Sequence, residues 1–254
     1  MALIIAMANH KGGVAKTASV AALGTVFASG GNRVLMVDLD TQANLTYSFI
    51  DMQGRPPARY IYDAVRSRTA LPQVAVRENL YIVPSGLEMT LVETEMYAMR
   101  RREYILRDLL EPVADDYDII LLDCPPSLSV MTTNALTVAD RVCVPLVADQ
   151  LSYYGLKMMK AYVESLRDLN SSLKVSDVFF TRFDVREKLA RTWEQAIRAE
   201  FGGTVMDTVI RKNVKVGEAV SSLMSVVEYM PDSAGARDYR QLAVELVARI
   251  NSGK

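Results

Sequence analysis

The residues best equipped for chemistry lie in three short stretches of this 254-residue chain. The first is Asn9-His10-Lys11-Gly12-Gly13-Val14-Ala15-Lys16-Thr17, which follows the apolar run Leu3–Ala8 and leads into a helical pattern over Lys16–Ser29. A strand, a glycine turn and a Lys-Thr pair opening a helix make up the context of a phosphate-binding loop. Glycines let backbone N–H groups turn inward around phosphate oxygens, and the helix N-terminus adds the positive end of its dipole. Lys16 would neutralise β and γ phosphates, and the Thr17 hydroxyl would ligate Mg²⁺. The expected ligands are therefore ATP and Mg²⁺, with Gly12, Gly13, Val14, Ala15, Lys16, Thr17 and Ala18 around the phosphates.

The second stretch runs from Val34 through Asp38 and Asp40 to Asn44. In open α/β sheets ligands sit beyond the carboxyl ends of the strands, so both acids should face the glycine loop. Capping of a following helix is the plainer role for such residues, and for Asn44 it stands level with a role at the site. The third stretch, Asp118–Ser127, is an apolar strand closed by Asp123, which would bind Mg²⁺ through water. Pro125 and Pro126 stop that strand and stiffen the loop beyond it.

Positioning these groups requires a parallel sheet. Leu3–Ala8, Val34–Val37, Leu80–Val83, Ile119–Leu122, Val142–Val147 and Val175–Phe180 are continuous apolar runs, as strands buried on both faces should be. Helical periodicity fills Lys16–Ser29, Met89–Leu110, Thr132–Ala139, Tyr154–Leu169, Glu187–Glu200 and Ala236–Asn251. The alternation predicts an α/β fold, a mostly parallel twisted sheet with helices on both faces, organised as a single domain over residues 1–254. Asp51–Thr69, with its glycine, prolines and arginines, is expected to be an irregular surface excursion.

Bulk composition narrows the partners. Lys plus Arg total 29 and Asp plus Glu total 30, which excludes binding of DNA through bulk charge but allows a local basic face. Cys124 and Cys143 have no metal-site spacing and are expected to be reduced and buried. The first apolar run is too short for a signal peptide or a membrane span, so a cytoplasmic protein is expected. His10 is expected to pack beside the loop, as are Tyr153, Tyr154 and Trp193 against neighbouring helices.

The loop reads KGGxxK[ST], with Lys11 as a second lysine, and in this it resembles the ParA/MinD family, whose deviant Walker A loop reads KGGxGK[ST]. The resemblance, closest to ParA/Soj-like partition ATPases, implies a P-loop fold of the SIMIBI type and a weak, partner-stimulated ATP hydrolase. Lys11 would reach across an ATP-sandwich dimer to the partner's phosphates, so Lys11, Lys16 and Asp40 would form the catalytic set. The second stretch is similar to the family's DxDPQxN switch: Asp40 would position the attacking water, and Asp38 would support the Mg²⁺ shell or the switch, giving Thr17, Asp38 and Asp123 as the metal set. Two alanines depart from the family, Ala15 before the second lysine and Ala43 in the switch, both where glycine is usual. Ala15 is affordable only with a negative φ or with absorbed strain.

Arg211–Ala219 resembles the family's IPRNVRLxEA element, which implies adenine contacts from Asn213. The late basic residues imply non-specific DNA binding, with Arg186 and Lys215 matching best by position. The implied function is partition or segregation: an ATP-dependent homodimer on nucleoid DNA, released when a ParB-like partner stimulates hydrolysis. No N-terminal helix-turn-helix domain is expected. The alternative is a MinD-like or other cargo or membrane positioner. The apolar residues of Tyr239–Lys254 read as a packed helix, so no membrane partner is expected. An iron-protein-like electron carrier would need suitably placed exposed cysteines, and neither Cys124 nor Cys143 suits.

Overall fold

The computed structural model describes residues 2–253. The strands are β1 (Leu3–Met7), β2 (Val34–Asp38), β3 (Val74–Arg77), β4 (Leu80–Val83), β5 (Ile119–Asp123), β6 (Arg141–Leu146), β7 (Val175–Phe183) and β8 (Val205–Arg211). They form one sheet in the order β3-β4-β2-β5-β1-β6-β7-β8. Every pairing is parallel except that of the edge strand β3 with β4. The longer helices are α1 (Lys16–Ser29), α2 (Asn44–Tyr47), α3 (Ile61–Ser67), α4 (Met89–Met96), α5 (Ile105–Leu110), α6 (Val130–Val138), α7 (Gln150–Ser165), α8 (Lys188–Phe201), α9 (Lys215–Ser221), α10 (Val226–Tyr229) and α11 (Ala234–Asn251).

The strands are apolar throughout because both faces are covered. Along β1, Ile4 and Ala6 join a core with α4, α5, α6 and α7, whereas Ile5 and Met7 join a second core with α1 and α11. The same alternation holds along β2 and β5. This is the period-two geometry of a strand sandwiched between helical layers. The apolar side of α11 (Tyr239, Leu242, Leu246) is buried in the second core. Among the described residues no helix is long and apolar enough to cross a membrane.

The structure corrects several element boundaries. Met89–Leu110 is not one helix. It ends at Met96, passes through a 3₁₀ turn at Arg102–Tyr104 and restarts at Ile105. The cause is tertiary: Asn134 on α6 donates to the Arg102 carbonyl at 2.7 Å and accepts the Leu106 N–H at 2.9 Å, so it caps the restarted helix from outside. Asp51–Thr69 is not wholly irregular, since it contains α3, whose entry is fixed by Tyr60 N–H donating to Asp63 at 2.8 Å. The strands β3 and β8 had no predicted counterpart. Both lie at the sheet edges, where strands are mixed in polarity and carry no continuous apolar signal.

At the end of the sheet away from the glycine loop, Asp177 on β7 is fully buried between two arginines. Arg141 donates to it from Nε at 3.0 Å and Nη2 at 2.8 Å, and Arg249 of α11 from Nε at 2.7 Å. This cluster ties β6, β7 and α11 together. Burial, with Asp177 alongside, pushes the Cys143 thiol well up, so it stays protonated and inert. Cys124 is likewise buried, its thiol raised by desolvation.

Candidate functional site

Three neighbouring strands deliver the three chemical stretches to one place. In register, Asp38 at the end of β2 pairs with Asp123 at the end of β5, and Asp123 pairs with Met7 at the end of β1. The glycine loop follows β1 directly and opens α1 at Lys16. Its residues Gly12 to Ala18, with Asp40, border a cavity of about 610 Å³ that also reaches Lys212, Asn213 and Val214 beyond β8. That volume lies within the range of small-ligand and cofactor sites.

The loop is built from outward-facing hydrogen bonds. Asn9 donates to the Pro145 carbonyl at 2.8 Å and accepts the Lys11 N–H at 3.0 Å. Gly13 takes φ 74°, and Ala15 takes φ 63°. Ala15 therefore does not escape by a negative φ: it sits in the left-handed region, at a cost of about 1–2 kcal/mol for a residue with a Cβ. Ala43, the other alanine where family loops carry glycine, is also left-handed, at φ 52°. His10 packs its ring on Gly155 of α7, where a Cβ would lie 2.5 Å from the ring. Burial, then Lys16 and Lys11, lower its pKa, so His10 is a neutral packing residue as expected.

Lys16 is 6% exposed, and its Nζ donates to the Lys11 carbonyl at 3.2 Å. Burial lowers its pKa, while Asp123, Cys124 and Asp40 pull the other way. Lys11 points elsewhere. Its Nζ lies 2.6 Å from Asp149 and 3.3 Å from the Ser152 hydroxyl at the start of α7, and Lys11 does not border the cavity. Asp149 also caps α7 by accepting the Ser152 N–H at 2.7 Å. Burial alone would raise the Asp149 carboxyl, but the bonds from Lys11 and Ser152 outweigh it and hold the pKa below the usual value.

The carboxylates divide by environment. Asp38 is fully buried and both its oxygens are engaged: it accepts the Asp40 N–H at 3.1 Å, the Thr46 N–H at 2.8 Å and the Thr46 hydroxyl at 2.7 Å. Desolvation still pushes its pKa up to about 7. Of its two expected roles, these bonds suit shaping the switch, because they tie Asp38 to Asp40 and to Thr46 on either side of the turn. Asp40 accepts the Gln42 N–H at 3.0 Å and borders the cavity. Asp123 is the opposite of Asp38. It is 1% exposed, and neither oxygen has a hydrogen-bond partner. Burial, and then the Asp38 charge, raise its pKa well above the ordinary value, with Thr17 and Lys16 opposing. A buried carboxylate with two orphaned oxygens beside Thr17 fits the hydration shell of a bound Mg²⁺. Among the described residues no group of three or more His, Cys, Asp or Glu is placed to hold a metal ion.

Asn44 opens α2 and borders the cavity rather than capping, since the cap position is Ala43. Asn213 borders the cavity too, with its Oδ1 taken by the Lys215 N–H at 2.9 Å. Arg211 borders the cavity as well, with its guanidinium paired to Asp238 of α11 at 2.6 Å. Arg186 and Lys215 lie outside the cavity on the surface, each with a carboxylate, Asp184 at 2.6 Å and Glu218 at 2.7 Å. The Arg186 guanidinium holds Asp184 well below the carboxylate range. Sequence reasoning did not anticipate Asp149 and Ser152 as partners of Lys11. The Asp-x-x-Ser spacing at a strand-to-helix junction is a capping signal, but only the folded chain shows which lysine it meets.

A strand, a left-handed glycine loop, a buried lysine at a helix start and an unpartnered aspartate at the end of the adjacent strand define a P-loop nucleoside triphosphatase. The sequence profile of the AAA domain family matches residues 2–175. The chromosome-partitioning ATPase Soj of Treponema pallidum is 34% identical over 253 residues, covering 98% of each chain. The chromosome partitioning protein ParA of Caulobacter vibrioides is 38% identical over 253 residues, covering 97% of this chain and 94% of its own. Cobyrinic acid a,c-diamide synthase of Mycobacterium smegmatis, solved with ADP and magnesium, superposes with a TM-score of 0.86 at 29% identity over 100% of this chain and 97% of its own. This chain belongs to the ParA/Soj family of partition ATPases.

Proposed function

We propose that this protein is a DNA-partition ATPase that binds Mg-ATP, closes into a sandwich dimer, holds non-specific DNA on the dimer and lets go after hydrolysis. The observation that carries the reading is the position of Lys11. It belongs to the glycine loop, yet its ammonium is held by Asp149 and Ser152 outside its own cavity. A cation in that place serves phosphates best from a second copy of the chain, once released from Asp149. Lys16 holds the β and γ oxygens in cis, and the N–H groups of Gly13 to Thr17 surround them. Thr17, and Asp123 through water, would hold Mg²⁺, which would supply charge neutralisation to the phosphate oxygens. Asp40 orients the attacking water, and Asp38 fixes the switch that carries Asp40.

For DNA, Arg186 exposes 86% of its side chain, but Asp184 and Glu218 already neutralise Arg186 and Lys215 in part. Phosphates must displace those carboxylates. Doubling the contacts in a dimer then makes affinity steeply dependent on ATP and on salt. Arg186→Ala should lower the slope of log affinity against log salt by roughly 2 in a dimer, one unit per copy. A single-domain chain acting on the nucleoid with a ParB-like activator completes the reading.

Light scattering with Mg-ATP tests the dimer. The Asp40→Ala variant should accumulate as a dimer, and Lys11→Ala should stay monomeric while still binding ATP. A monomeric Asp40→Ala protein at saturating ATP, or a dimeric Lys11→Ala protein, would remove the trans role. Co-sedimentation with duplex DNA across a salt series tests the cargo, and an ATP-dimer that ignores DNA would exclude partition by nucleoid binding.

A further inference from the structure

We propose that Arg182 is a positioning residue of the glycine loop, a brace at the end of β7 that fixes the loop's peptide planes and holds Ala15 in its left-handed turn. Arg182 Nη1 donates to the Gly13 carbonyl at 3.1 Å. The preceding residue, Thr181, donates its hydroxyl to the Val14 carbonyl at 3.1 Å. Two consecutive residues of β7 thus grip two consecutive carbonyls of the loop, immediately before Ala15. A trans peptide is planar, with its C=O and N–H pointing in opposite directions. Drawing the Gly13 carbonyl toward Arg182 therefore turns the Val14 N–H the other way, into the cavity. The Val14 carbonyl on Thr181 does the same for the Ala15 N–H. The donors that a phosphate needs are aimed by acceptors held from outside.

Arg182 is itself placed with care. Its backbone is left-handed, at φ 53°, in a residue with a bulky side chain. It is exposed, it borders the cavity, and among the described residues it forms no ion pair. An exposed arginine on a strained backbone with its guanidinium on a loop carbonyl is poorly explained as a solubilising charge. The strain at Ala15 supplies the need. A glycine there would adopt the turn freely, whereas an alanine populates it only when neighbouring contacts over-determine it.

Isothermal titration of Mg-ATP and Mg-ADP into Arg182→Met, in the native chain and in the Ala15→Gly background, tests this inference. Methionine keeps the length and removes every donor. Binding should weaken by about tenfold in the native chain, as for loss of a hydrogen bond from a charged group, and by clearly less in the Ala15→Gly background. Arg182→Lys, which keeps a donor, should recover part of the loss. The melting temperature without nucleotide should hold, since the side chain is exposed. Unchanged affinity in Arg182→Met would overturn the brace. An equal or larger loss in the Ala15→Gly background would overturn it too, and would make Arg182 a direct nucleotide contact. Failure of the unmodified protein to bind ATP would instead strike at the nucleotide site itself.

Discussion

Lys16→Ala should abolish measurable ATP binding while leaving the apo protein folded. Lys16 is the one loop cation that is both buried and at the cavity, 3.2 Å from the Lys11 carbonyl, with Asp123 and Asp40 as its acidic neighbours. Without it, Asp40 at the cavity and the buried Asp123 meet an incoming polyphosphate with no compensating charge from this lysine. Removing one partner of a buried charge pair costs about 2–5 kcal/mol of binding, or roughly 30- to several-thousandfold. The fold tolerates the change because burial already raises the pKa of Asp123 and Asp38, which lessens the charge that Lys16 has to offset. Titration calorimetry reads the affinity and circular dichroism the fold. An affinity within threefold of the unmodified protein would show that phosphates do not lie where Lys16 points. Arg in its place should rescue little, since a planar fork does not fit a space shaped for a compact ammonium.

Asp177→Ala should produce the largest loss of stability from a change remote from the nucleotide. The carboxylate is fully buried and receives charge-assisted bonds from Arg141 and Arg249. Deleting it removes the buried counter-charge that the two guanidinium groups share, a loss of about 3–5 kcal/mol. In a chain of this size that lowers the melting temperature by roughly 10 °C. Nucleotide affinity of the remaining folded protein should be unchanged, because Asp177 lies near the start of β7 whereas Thr181 and Arg182 lie near its end. Urea denaturation measures the first quantity and calorimetry the second. A stability change below about 1 kcal/mol would mean that the arginines find water or other acceptors on losing Asp177.

The relation between strain and function at Ala15 and Ala43 bears on both results. Each alanine occupies a left-handed turn, and each lies in a segment that must hold or sense phosphate. Strain of this kind survives only where surrounding contacts fix the backbone. Here Thr181 and Arg182 fix the first turn, and the bonds from Thr46 to Asp38 follow the second.

What the sequence determined by itself was local and periodic. Continuous apolar runs could only be strands buried on both faces. Lys-Thr after a glycine turn read as the opening of a helix toward phosphate, and an aspartate at the end of such a strand was expected to face the ligand crevice. α1 and β4 stand at the residues their patterns named, because short-range sterics and burial decide them. The tertiary structure decided whatever depends on partners far along the chain. Asn134, from another helix, broke the segment read as one helix over Met89–Leu110. The engagement of Asp38 by the Thr46 N–H and hydroxyl was equally out of reach of local pattern. The sign of φ at Ala15 and the attachment of Lys11 to Asp149, 138 positions away, also lay outside any local pattern. Those features depend on which side chains the closed sheet brings within hydrogen-bond reach, and residue type and spacing carry no record of that.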